Sequence, residues 1–100
     1  MISSGEGAWG SRTNEGNKEE QYYVDDAFNF NSGVMRIRAE ARSVEGYKYT
    51  SGIISSYGKF SQQYGYFEMR AKLPKGKGLW PAFWLLADSW NWPPELDVME

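Results

Sequence analysis

The sequence predicts an all-β sandwich, and three observations carry that reading. Residues 35–42 alternate without a break, with Met35, Ile37, Ala39 and Ala41 on one side and Arg36, Arg38, Glu40 and Arg42 on the other. Residues 66–73 repeat the pattern: Phe67, Met69, Ala71 and Leu73 alternate with Tyr66, Glu68, Arg70 and Lys72. No segment holds a helical period for more than a turn or two, and Gly, Pro, Asn and Asp clusters divide the apolar stretches. Strands with one apolar face must bury it against another layer, and short strands at this spacing do so as two packed sheets.

Each element follows in turn. Residues 1–20 are polar and rich in glycine (Gly5, Gly7, Gly10, Gly16) and read as irregular structure with Trp9 as anchor. Gln21-Tyr22-Tyr23-Val24 forms a short strand, closed by Asp25-Asp26 and by a turn over residues 29–33. The alternating run 35–42 follows as a half-exposed strand. Gly52-Ile53-Ile54-Ser55 is a shorter one, leading to a loop around Tyr57-Gly58-Lys59. After the strand at 66–73, Pro74-Lys75-Gly76-Lys77-Gly78 turns the chain. Residues 79–86 are nearly all apolar and fit a central strand, blemished by Pro81. A tryptophan-bearing loop, residues 88–94, then leads into an acidic strand.

One hundred residues fit a single domain. With five Trp, seven Tyr and five Phe, the chain has more large aromatic surface than so small a unit can hide. The net charge of −2 and the lack of basic runs argue against a nucleic-acid or membrane-surface partner and favour a neutral one, such as sugar. Without cysteine there is neither a disulfide framework nor a thiolate metal site. Without histidine, Ser-His and Cys-His nucleophile systems and most zinc sites are excluded. No signal peptide or spanning segment is legible.

Chemistry concentrates in Glu95-Leu96-Asp97-Val98-Met99-Glu100. On a helix the three carboxylates fan out around the axis, with Asp97 roughly opposite Glu95, and cannot act together. On a strand Glu95 and Asp97 share a face, and one extra residue at Met99, a β-bulge, returns Glu100 to it. The outer Cα atoms then lie roughly 13 Å apart, and glutamates leaning inward leave their carboxyls about 5 Å apart. That separation belongs to a retaining glycosidase, in which one carboxylate attacks the anomeric carbon and a protonated carboxyl serves the leaving oxygen. Read locally, Trp-Pro-Pro-Glu also suits a helix opening, and an acidic strand also suits a surface or a calcium ion.

Trp80 and Trp84 share one strand face, with Phe83 and Leu85 on the other, and Trp90 and Trp92 precede the acids. Indole faces match the C–H faces of pyranose rings, so tryptophans around carboxylates suggest sugar subsites, although any one of them alone reads as core. Glu68 and Arg70, adjacent on a polar strand face, can bond sugar hydroxyls or form a solvated cross-strand salt bridge worth little.

Three blocks in order, Gly65-Tyr66-Phe67-Glu68-Met69-Arg70-Ala71-Lys72-Leu73-Pro74, Gly78-Leu79-Trp80-Pro81-Ala82-Phe83-Trp84-Leu85-Leu86 and Trp92-Pro93-Pro94-Glu95-Leu96-Asp97-Val98-Met99-Glu100, resemble the laminarinase-like branch of glycoside hydrolase family 16. Gly16-Asn17-Lys18-Glu19-Glu20-Gln21-Tyr22-Tyr23 and Ser51-Gly52-Ile53-Ile54-Ser55 resemble its opening strands. The resemblance implies a concanavalin A-like β-jelly-roll whose concave face cleaves a polysaccharide with retention. It implies Glu95 as nucleophile, Asp97 as assistant and Glu100 as acid/base, with Glu68, Arg70, Trp80, Trp84, Trp92 and Asn17 contacting sugar. Met99 marks the bulged branch, which includes laminarinases, agarases and carrageenases. Pro93-Pro94 before the nucleophile resembles members acting on bacterial exopolysaccharides.

The family's domain runs well over twice this length, so residues 1–100 are expected to be the N-terminal portion of one catalytic domain, inactive alone. The expected function of the intact domain is endo-acting hydrolysis of β-1,3- or mixed β-1,3/1,4-glucan. The rivals are an exopolysaccharide depolymerase or agarase-like enzyme, a non-catalytic carbohydrate-binding module, and one half of a split assembly that pairs with a complementary C-terminal half or with itself. Catalysis by carboxylates needs no cofactor or metal; for a structural calcium ion no ligand set is legible. The resemblance implies a secreted protein.

Overall fold

The computed structural model describes residues 3, 4 and 11–100 of the chain; the expected anchor Trp9 lies outside them. The fold is all-β, as a jelly-roll fragment requires, with two three-residue 3-10 turns, Glu15–Asn17 and Asp25–Ala27, as the described helical structure. Among the described residues eight strands make four two-stranded pairs: β1 (Ser3–Ser4), β2 (Gln21–Tyr23), β3 (Phe28–Asn31), β4 (Val34–Ile37), β5 (Tyr49–Ser51), β6 (Ile54–Ser55), β7 (Phe83–Leu86) and β8 (Glu95–Met99). The chain divides into two compact units, Met1–Phe60 and Ser61–Glu100.

In Met1–Phe60, β1 pairs antiparallel with β6, β2 parallel with β5, and β3 antiparallel with β4. Residues 29–33 are not a broad turn. Phe28–Asn31 is a strand, and Ser32-Gly33 alone makes the bend, with both residues at positive φ (52° and 75°). A two-residue loop of that hand matches the right-handed twist of the flanking strands.

The run over residues 35–42 is not one half-exposed strand: Ala39 and Ala41 are exposed while Glu40 and Arg42 are half-buried, and its ladder changes partner half way. β4 ends at Ile37; the Arg38 amide then donates to the Ala27 carbonyl, and Glu40 and Thr50 exchange both backbone hydrogen bonds at 2.9 Å. Period-two patterning reports the face, not the continuity of one partner. Thr50 is consequently held on two sides, by Tyr22 of β2 in register and by Glu40, and is 2% exposed. Tyr23, Val24 and Ala27 complete the buried set among the described residues.

Gly52 is required by packing. A Cβ there would lie 2.8 Å from Ile37 Cγ2, 2.8 Å from Phe28 Cζ and 3.0 Å from Ala27 Cβ. Around this core, Tyr23 Oη donates to Glu19 Oε1 (2.9 Å), and Arg12 Nη1 donates to the Tyr23 carbonyl and pairs with Asp25 (3.0 Å each). Burial first, and then the Glu19 carboxylate, push the Tyr23 hydroxyl well above the ordinary tyrosine range.

In Ser61–Glu100, β7 pairs antiparallel with β8. The expected strand over 66–73 does not form: the segment joins no ladder among the described residues. Met69, Ala71 and Leu73 line, with Phe83, Val98 and Met99, an open apolar depression of about 240 Å³. The central strand predicted from residue 79 begins only at Phe83, beyond Pro81, which has no N–H to give a ladder.

Candidate active site

The site begins with a register. Leu86 faces Glu95, Leu85 faces Leu96 and Trp84 faces Asp97, but Phe83 faces Met99, so β8 carries one extra residue within Val98-Met99. This is the bulge that the spacing of the acids calls for. Directly paired residues share a face of a sheet, so Glu95, Asp97, Trp84 and Leu86 lie on one side and Phe83, Leu85, Leu96 and Met99 on the other. Met99 sits with Phe83, and its successor Glu100 therefore returns to the side of Asp97. Val98 and Met99 both line the apolar depression behind, so the bulge seats two apolar side chains on one side while restoring the acids to the other.

All three acids are exposed. The outer two are each held by an indole: Trp92 Nε1 donates to Glu95 Oε2 at 3.0 Å, and Trp80 Nε1 donates to Glu100 Oε1 at 3.2 Å. Trp92 is 70% exposed and Trp80 56%, so the rings stay open to a ligand while their N–H groups are engaged. The half-buried Trp84 stands opposite Asp97. Local chain geometry explains the first contact, since Trp92 is three residues before Glu95 on the loop 87–94, whose Trp92–Pro93 and Pro93–Pro94 bonds are cis. The second spans twenty residues of sequence and exists because β7 and β8 fold back on one another.

Glu68 and Arg70 are exposed on the unpaired segment 66–73 rather than on a paired strand face. Trp90 takes positive φ (65°), with its amide donating to the Ala87 carbonyl. Asn17 lies in the other unit, exposed at the end of the first 3-10 turn, and is described there by itself. Among the described residues no group of three or more Asp, Glu, His or Cys side chains is arranged to hold a metal ion. Sequence reasoning singled out the indoles for their faces and missed their N–H contacts. The Trp92 contact had a signal, its i, i+3 spacing to Glu95; the Trp80 contact had none short of the hairpin register.

The family model for Beta-glucan synthesis-associated protein SKN1/KRE6/Sbg1 matches residues 11–89. The chain belongs to this family. The match ends before the acidic strand. Among curated relatives, an endo-1,3-1,4-beta-glycanase, ExsH, of Rhizobium meliloti (strain 1021) is 46% identical over 99 residues, covering 84% of this chain and 21% of its own length. A second from that strain, EglC, is also 46% identical, over 100 residues, with 85% of this chain and 22% of its own covered. A beta-glucanase of Rhodothermus marinus is 44% identical over 96 residues, covering 85% and 33% respectively. The chain thus spans about a fifth to a third of the length of these relatives. No solved structure matches it. At family level the resemblance to glycoside hydrolase family 16 holds: the chain is β-glucanase-like.

Proposed function

We propose that the protein is an endo-acting, retaining β-glucan hydrolase of the laminarinase-like, bulged branch of glycoside hydrolase family 16. The observation that carries this is the bulge, because it alone puts three carboxylates on one strand face beside exposed indoles. In this reading the Glu95 carboxylate attacks the anomeric carbon as the glycosidic C–O bond breaks, and the protonated Glu100 carboxyl gives its proton to the leaving oxygen. Water then attacks the glycosyl-enzyme, losing its proton to Glu100 and releasing Glu95. Asp97, between the two, orients and tunes them. Glu68, Arg70, Trp80, Trp84 and Trp92 contact the polysaccharide, and Asn17 is carried from the family pattern. No cofactor is needed for these steps.

Mixed β-1,3/1,4-linked glucan is the substrate we favour, since the relatives ExsH and EglC are named for that linkage pattern and are 46% identical. Action outside the cell follows from a polymeric substrate; among the described residues no helix is long and apolar enough to cross a membrane. The test is hydrolysis of β-glucan followed by proton NMR of the first reducing ends. The β-anomer is expected first. First release of the α-anomer would sink the retaining assignment, and saturable glucan binding with no product would make the protein a binding module instead.

A further inference from the structure

We infer that Trp92 and Trp80 are positioning residues that fix which oxygen of each outer carboxylate reacts. The inference rests on the catalytic roles proposed above for Glu95 and Glu100. Each indole presents a single N–H donor and no acceptor, and each gives it to one oxygen: Trp92 to Glu95 Oε2 at 3.0 Å, Trp80 to Glu100 Oε1 at 3.2 Å. Glu95 Oε1 is then the nucleophilic oxygen, and Glu100 Oε2 the oxygen that carries and returns the proton.

The need for such tethers comes from the exposure of the acids. An exposed glutamate side chain has several rotamers open to it, and ordering it costs free energy unless a partner holds it. Glu95 and Glu100 are exposed, and the strand beneath them fixes their Cα positions but not their carboxyl planes. A hydrogen bond from a neighbouring indole supplies the missing constraint. The two tethers are also arranged differently. Trp92 reaches Glu95 across three residues of loop, whereas Trp80 reaches Glu100 across the β7–β8 hairpin. The nucleophile is therefore set by the loop 87–94, and the acid/base by the register that the bulge creates. A small displacement of a reacting group costs rate more than binding, so the loss of either N–H should appear in kcat.

Replacing each tryptophan in turn with 3-benzothienylalanine keeps the ring face and size and removes only the N–H. In the full-length protein we expect kcat on β-glucan to fall about tenfold, the scale of one hydrogen bond to a charged group, while KM stays within about twofold. Unchanged kcat and KM would mean that the rings act only as sugar platforms, whose faces the replacement keeps, and would overturn the inference. A second readout needs no turnover. In a ¹H–¹⁵N spectrum of the indole groups, Glu95→Gln should move the Trp92 Nε1–H signal and spare that of Trp80, and Glu100→Gln should do the reverse. Signals unmoved by either change would overturn the tethering even if hydrolysis were seen. Conversely, turnover surviving Glu95→Gln or Glu100→Gln, with the indole signals still coupled, would reject the catalytic roles and leave the tethers standing.

Discussion

The two units of the chain put their buried and their reactive residues in different places. Every buried residue among those described, Tyr23, Val24, Ala27 and Thr50, lies in Met1–Phe60. Every candidate site residue except Asn17 lies in Ser61–Glu100, where the acids and most of the aromatics are exposed. The first unit ties its backbone through side-chain contacts such as Arg12 to the Tyr23 carbonyl and Arg38 to the Asp26 carbonyl. In the second, two indole N–H groups are given to the outer carboxylates, Glu95 and Glu100. The contrast teaches that in this chain stability and chemistry are separable by position: changes in one unit should move melting, and changes in the other should move turnover.

The strongest way to break that separation is at the acids. Glu95→Gln and Glu100→Gln should each lower turnover on β-glucan about a hundredfold or more, the scale of a lost acid–base or nucleophilic group, with oligosaccharide affinity and melting temperature nearly unchanged. Both carboxylates are exposed, and in the roles proposed for them they act on bond breaking more than on ground-state binding. A large fall in melting temperature for either variant would show that the site unit depends on its charges for folding.

Gly52→Ala tests the other unit. Ile37, Phe28 and Ala27 leave no room for a methyl group, and none of the three contacts is the free end of a long flexible chain. Overpacking of this kind costs about 1–3 kcal/mol. Denaturant titration of the variant should show that loss; an unchanged midpoint would mean that this region relaxes more freely than its packing indicates.

Tyr23→Phe should cost about 1 kcal/mol through the lost hydrogen bond to Glu19, and it also sharpens the comparison through pH. Because the folded protein holds the Tyr23 hydroxyl above its ordinary value of 10.0, the stabilisation is complete below that pH and is lost as pH rises from there toward the folded value. Alkaline melting curves of the wild type should therefore fall away above pH 10, and those of the phenylalanine variant less steeply.

The smallest effect is expected at Asp26. Its hydrogen bond with Arg42, at 3.0 Å, holds the carboxyl below the ordinary value of 3.8, so its contribution is present above that pH and lost as pH falls through the folded value. Both partners are exposed, and such pairs contribute little and are screened by salt. Asp26→Asn should be detectable only at low ionic strength in neutral buffer; a marked effect at high salt would show that the Asp26 turn is held by more than its surface charges.

Sequence by itself determined the fold class, because period-two alternation with turn residues between the runs leaves the helix no face to bury. It determined the bulge too, since three acids at 95, 97 and 100 can share a strand face only if one residue is extra. Of the apolar set Phe67, Met69, Ala71 and Leu73, the last three line one depression together, because a shared face is a local property of alternate residues. What the tertiary structure decided was pairing. It moved the 29–33 turn into a hairpin, split the run at 35–42 between two partners, placed Tyr49–Ser51 as a strand unforeseen from its sequence, and left residues 66–73 without a ladder. It also turned the indole N–H groups of Trp92 and Trp80 onto Glu95 and Glu100. Alternation is written into each segment separately, whereas a ladder or a hydrogen bond across a hairpin depends on where a distant segment of chain comes to lie.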